Sequence, residues 1–253
     1  MALCYRKLTI TRVMQLIWEK FAQPQFTTLL RRPRLLQELQ SNLTRYAATV
    51  LSGRAGTGKT WLAADFAKSC PYRTAWYKVD ASDSSLPVFL EYLTATVLPS
   101  TGPAERLLRE CCRAAVPPLN PAAYAEVMAH IAEHAEQPLL IVLDDLHLIY
   151  DAPWFGPFLS RLLSLLPRTT HLLLVGRGVP PAPLWRLRSK QSLGMIEETA
   201  LAFTLEESKE LLAHLDLSEA ETVAAWRQTH GRAALLTAAP KLGHGLLMAE
   251  ARV

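Results

Sequence analysis

Gly53-Arg54-Ala55-Gly56-Thr57-Gly58-Lys59-Thr60 is the stretch whose reading decides the fold. It fits the phosphate-loop pattern G-x-x-x-x-G-K-[ST], in which backbone N–H groups cradle phosphates, the lysine reaches the β- and γ-phosphates and the hydroxyl ligates Mg²⁺. Its flanks agree. Ala47-Ala48-Thr49-Val50-Leu51 reads as a short buried strand running in, and Trp61-Leu62-Ala63-Ala64-Asp65-Phe66-Ala67 as a helix running out. That order aims the loop amides and the positive helix end at an anion. Glycines at 53, 56 and 58 permit the backbone angles and close approach such a cradle needs. The expected nucleotide contacts are Gly53, Arg54, Ala55, Gly56, Thr57, Gly58, Lys59, Thr60 and Trp61, with Thr60 also a metal ligand.

Outward from the loop, Leu139-Leu140-Ile141-Val142-Leu143 is a continuous apolar run, the mark of a parallel strand buried on both faces. It ends in Asp144-Asp145. A carboxylate at that strand end can hold Mg²⁺, usually through water, and a second one can polarise an attacking water. Asp144 is therefore the expected metal-side residue and Asp145 the expected base, although aspartate is also common in plain turns. A third strand, His171-Leu172-Leu173-Leu174-Val175, stops at Gly176-Arg177. The planar fork of Arg177 matches phosphate oxygens, which makes it the candidate γ-phosphate sensor; the plainer alternative is a solvated strand-end arginine.

The remaining pattern is strands alternating with helices, then helices alone. Pro33 to Leu43 predicts a helix with proline at its start, Thr74 to Val79 a strand, and Pro87 to Val97 a helix. Tyr124, Val127, Met128 and Ile131, and again Leu159, Leu162, Leu163 and Leu166, fall at helical spacing. Met14 to Phe21 reads as a short amphipathic helix and Gly194 to Thr199 as a last strand. From Thr204, which with Glu207 makes a capping box, only helices follow: Ser218 to Gln228 and Gly231 to Ala239. The fold class is therefore α/β, a P-loop NTPase with a parallel sheet flanked by helices, followed by a small all-helical lid. The expected divisions are an N-terminal extension over 1–27, an ATPase core over 28–203 and a lid over 204–253.

Composition sets the class without deciding the function. Half of the 253 residues are apolar and a fifth charged, as in an ordinary globular chain. No apolar stretch reaches the length of a membrane span, and the N-terminus lacks a signal-peptide pattern. Cys4, Cys70, Cys111 and Cys112 have no metal-ligand spacing, so a reducing cytoplasm is the expected setting and no membrane the expected partner. The net charge is +4, with basic clusters at Arg31, Arg32 and Arg34 and at Arg186, Arg188 and Lys190. No zinc finger, RNA-binding aromatic motif or basic zipper accompanies them, so direct nucleic-acid binding is not expected.

These residues together resemble the nucleotide-binding module of STAND ATPases, signalling relatives of the AAA+ class, and within them the maltose-regulon activator and large LuxR-type transcription regulators. The resemblance is carried by Leu30-Arg31-Arg32-Pro33-Arg34, the loop Gly53 to Thr60, Trp76-Tyr77-Lys78-Val79-Asp80, and Leu143-Asp144-Asp145-Leu146-His147. It continues through Val175-Gly176-Arg177, Ala202-Phe203-Thr204 and His230-Gly231-Arg232-Ala233, so it covers roughly residues 28 to 240. It implies an ATP/ADP switch with Mg²⁺, closed with ADP and self-associating with ATP. It also implies that Arg32 and Arg34 lie near the adenine. The chain departs from the family at Trp61, where a small or polar residue is usual, and at Gly231-Arg232-Ala233, where many members carry Gly-x-Pro. It ends at Val253, whereas relatives continue into a winged helix, inducer-binding repeats and a DNA-binding helix-turn-helix. The expectation is a fragment of a longer regulator, or a switch whose sensor or output partner is another protein. The function expected is a slowly hydrolysing regulatory ATPase. Two alternatives stand beside it: a non-hydrolysing, nucleotide-stabilised scaffold, and a P-loop small-molecule kinase, which the helical tail disfavours.

Overall fold

A computed structural model describes residues 16–26, 30–98, 120–178, 181–182, 185–186, 193–213, 215 and 217–238. The turn at Pro117-Pro118, Cys4, Cys111, Cys112, Arg188, Lys190 and the residues from 239 onward lie outside that set.

Five parallel strands form one sheet in the order β2-β3-β4-β1-β5. They are β1 (Ala48–Ser52), β2 (Arg73–Lys78), β3 (Leu139–Asp144), β4 (Thr170–Gly176) and β5 (Leu193–Ile196). Side chains alternate across the sheet with the period of two that a strand imposes. On β3, Leu139, Ile141 and Leu143 enter one core while Leu140 and Val142 enter the other. The first core is closed by α3 (Leu86–Val97), α4 (Pro121–Glu133) and α5 (Phe155–Leu165), through Phe89, Leu93, Met128, Phe158 and Leu162. The second is closed by α1 (Pro33–Arg45) and α2 (Lys59–Ser69), through Leu35, Leu39, Leu62 and Phe66. Being buried on both faces is why β1, β3 and β4 read as apolar runs.

Past β5 the chain turns helical: α6 (Glu198–Leu201), α7 (Leu205–Leu212), α8 (Glu219–Thr229) and α9 (Ala233–Ala238). The expected Thr204–Glu207 capping box is present, and Ser218 with Glu221 makes a second one opening α8. Phe203, Leu211, Leu212, Ala225 and Leu236 form a small core of their own. Gly231 packs so tightly that a Cβ there would collide with the Phe203 carbonyl oxygen and stand 2.9 Å from the Phe203 nitrogen. Its φ of +68° also favours glycine.

Two expectations are corrected. The last strand ends at Ile196, and Glu198 starts a helical turn because its carboxylate is drawn to the phosphate loop, as described below. In the N-terminal segment, Met14 and Gln15 lie outside the described residues, and the described residues 16–26 form a 3-10 turn, Trp18–Lys20, where a short amphipathic helix was expected. The segment packs Leu16 and Phe21 against the first core and is pinned there by polar contacts as well. The Lys20 ammonium is buried 2.7 Å from Asp83 and 2.8 Å from Asp80, and lies 4.3 Å over the Tyr92 ring. Trp18, by contrast, is 70% exposed.

Candidate nucleotide-binding site

β1 delivers the chain to the loop, and α2 leaves it with Gly58 as a left-handed N-cap. Gly56 and Gly58 both have positive φ, 78° and 83°, the left-handed conformations for which the motif needs glycine. Lys59 is buried at the loop's centre, and its ammonium donates to the carbonyls of Gly53 (2.7 Å) and Arg54 (2.8 Å) and to the Thr57 hydroxyl (3.2 Å). Burial, and then the charge of Arg177, hold its pKa below the usual lysine range, against the pull of Asp145, Asp144 and Glu198.

The acidic strand end reaches the same place. β4 lies between β1 and β3, yet the Thr60 hydroxyl donates to Asp144 Oδ1 at 3.0 Å. Two hard oxygen donors side by side, one a carboxylate, form the donor set that suits Mg²⁺. Burial, then the neighbouring Asp145 charge, push the Asp144 carboxyl up to about 6, with Thr60 and the Asp145 N–H working the other way. Asp145 itself is half-buried and adopts a left-handed conformation (φ 56°, ψ 27°). For a non-glycine residue that conformation costs about 1–2 kcal/mol. Its N–H is tied to Asp144 Oδ1 at 3.0 Å and its carbonyl accepts from Leu148, so the turn is held from both sides. Strain held in this way is a feature of functional sites.

His147, quoted in the sequence only as part of a longer resemblance, proves to be part of this constellation. Its Nδ1 is buried without a hydrogen-bond partner and stands 3.9 Å from Asp145 Oδ1. Burial depresses its pKa; Asp145 raises it, and the charges of Arg177 and Lys59 lower it further. The signal that could have found it was a titratable residue two places after the paired acids, on the turn that a carboxylate strand end must make. Arg177 is exposed just past the end of β4. The Ser52 hydroxyl donates to the Gly178 carbonyl, which ties the turn carrying Arg177 to the end of β1. Trp61 is half-buried in the first turn of α2.

The helical unit rests directly on the loop. Arg54 binds Glu198 through its backbone N–H (2.9 Å) and its Nε (2.6 Å), and these bonds hold the Glu198 carboxyl below its usual range. Arg232 donates twice to the Ala55 carbonyl, at 2.6 and 3.1 Å, and the Ala234 N–H donates to the Gly56 carbonyl at 2.9 Å. Arg32 and Arg34, which the resemblance puts near the adenine, lie at the joint between α1 and α7. Both guanidiniums donate to Glu207 and to backbone carbonyls of residues 200–202, and Arg32 also lies 4.1 Å over the Phe203 ring.

A parallel sheet of this order, with the loop between β1 and α2 and a carboxylate from β3 on the loop threonine, is the P-loop ATPase fold. The sequence places it more narrowly: residues 28–175 match the AAA ATPase domain family, and the chain belongs to that family. It is similar to the HTH-type transcriptional regulator MalT of Serratia proteamaculans, 31% identical over 183 residues, or 71% of this chain. MalT of Vibrio cholerae is 30% identical over 181 residues, 70% of this chain. The chain spans 19% of the length of each of these relatives. The module is thus MalT-like in sequence, as the Asp-Asp-Leu-His and Ala-Phe-Thr segments suggested. Among solved structures, a Walker-type ATPase of Pyrococcus abyssi superimposes with a TM-score of 0.56 at 15% identity, covering 87% of this chain and 70% of that one. That likeness is one of fold.

Among the described residues, no helix is long and apolar enough to cross a membrane.

Proposed function

We propose that this chain is a regulatory switch that binds ATP with Mg²⁺, hydrolyses it slowly and holds ADP in its resting form. The observation that carries the reading is that the helical unit touches the phosphate loop itself, through Arg232 on Ala55 and Ala234 on Gly56. Whatever phosphates do to those loop peptides is felt directly by the lid, which is the coupling a switch needs. Lys59 would take the β- and γ-phosphates, Thr60 and Asp144 would hold Mg²⁺, and the metal would neutralise charge on the phosphates. Asp145 would accept a proton from the attacking water, and Arg177 would stabilise the γ-phosphate. His147, with Nδ1 3.9 Å from Asp145 Oδ1, would orient that carboxylate by closing to hydrogen-bond distance. In this reading the output is self-association or contact with a separate sensor or output segment, in a cytoplasmic setting.

The test is ATP binding by calorimetry together with turnover. Lys59→Ala should abolish binding; Asp145→Asn should bind as the parent does and lose hydrolysis. Equal hydrolysis by Asp145→Asn and parent would remove Asp145 from its role. Binding without hydrolysis by the parent would favour the nucleotide-stabilised scaffold.

A further inference from the structure

At the opposite pole of the sheet, α4 ends in a cluster the nucleotide chemistry does not use. His130, Glu133 and His134 occupy its last turn and C-cap, all exposed, each offering a ligand atom within 4.8 Å of the others. We propose that these three side chains form a site for one divalent transition ion of the zinc class.

Four features support it. The histidines are four residues apart on a helix, so both project from one face, and their ring centroids are 4.2 Å apart. His134 Nδ1 donates to the His130 carbonyl at 2.9 Å, which fixes the tautomer and leaves Nε2 with its lone pair free. That arrangement, a ring whose second nitrogen is tied to a carbonyl, is how metal-binding imidazoles are commonly oriented. Glu133 Oε2 lies 3.9 Å from His130 Nδ1, so a carboxylate oxygen is available on the same face. Finally, the carbonyl end of a helix carries partial negative charge and favours a cation.

Two imidazole nitrogens and one carboxylate select zinc, nickel or copper over Mg²⁺, which prefers all-oxygen sites. The helix carrying the site leads into the start of β3, whose other end carries Asp144. An ion here would not compete with nucleotide. Because the ligands are exposed, the ion keeps open positions for water or for a ligand from a second molecule. The proposal is binding, with no catalytic step attached.

The experiment is calorimetric titration of the tag-free full chain with ZnCl₂ in excess Mg²⁺, repeated for His130→Ala, His134→Ala, Glu133→Gln and the double histidine variant. One ion should bind per chain. Loss of either imidazole should weaken binding by at least about tenfold, the scale on which even the outer partners of metal ligands act. The double variant should lose the site while keeping its circular dichroism spectrum and its ATP affinity, since the replaced side chains are exposed. Two results overturn the proposal: no Zn²⁺ binding by the parent, or binding unchanged in the double variant, which would send the ion to thiols such as Cys70.

Discussion

Replacing Arg32 by alanine should separate the helical unit from the sheet. The side chain is 1% exposed, and its guanidinium donates to the carbonyls of Leu201 (2.8 Å) and Ala202 (2.9 Å) and to Glu207 (3.0 Å), against the Phe203 ring. Each bond to a charged group contributes a net of about 1.5–3 kcal/mol. Burying the guanidinium costs part of that, and burial pulls its pKa below the usual arginine value. Glu207 keeps Arg34 and the Thr204 N–H after the change, which limits the penalty of a stranded carboxylate. The net loss should be about 3–5 kcal/mol, the usual cost of removing one partner of a buried pair. For a domain of this size that is a fall in Tm of roughly 6–20 °C. Urea titration followed by tryptophan fluorescence and circular dichroism reads it, and the Trp226 indole, which donates to the Phe203 carbonyl, is one reporter beside the joint. A loss under about 1 kcal/mol, within the range of an exposed ion pair, would refute the reasoning.

Three further outcomes follow from the geometry. His171 is buried and held neutral, with Nδ1 donating to the Tyr46 carbonyl and Nε2 accepting from Thr49, and burial lowers its pKa to about 4. The unfolded chain takes up a proton near the ordinary histidine value of about 6.5 and the folded one only near 4, so stability is intact above that window and falls as pH drops through it. Between about pH 8 and about pH 5 the loss from this residue should be about 2 kcal/mol by urea unfolding, and His171→Gln should remove that part of the slope. Gly231→Ala should drive a methyl into the Phe203 backbone, lowering stability by about 2 kcal/mol or more and exposing the lid to limited proteolysis; an unchanged digestion pattern would sink this. His147→Ala should slow ATP turnover by about tenfold or more at unchanged ATP affinity, measured by phosphate release; a loss confined to affinity would show that His147 does not act through Asp145.

Much of this architecture was legible because its signals are local. The loop glycines, the apolar run into Asp144-Asp145 and the Thr204 capping box each announce a conformation within a few residues, and each stands where expected. What stayed hidden depends on partners distant in sequence. Arg32 meets Leu201 and Glu207, separated from it by 169 and 175 residues, and nothing near Arg32 indicates that its guanidinium is buried. Lys20 is fixed by Asp83, 63 residues away, in a 3-10 turn where a short amphipathic helix over Met14 to Phe21 was expected. Glu198 looked like the end of a strand because its β-rich neighbours outweighed a role set by Arg54, 144 residues earlier. His147 was in plain view, but its bearing on Asp145 needed the left-handed turn that brings the two together.

The most direct test of the account is to load the purified chain with Mg·ATP, remove free nucleotide, denature the protein and identify what it releases. The account predicts ADP at close to one per chain from the parent and none from Lys59→Ala. A parent that releases no nucleotide, and binds neither ATP nor ADP when they are added back, would contradict it.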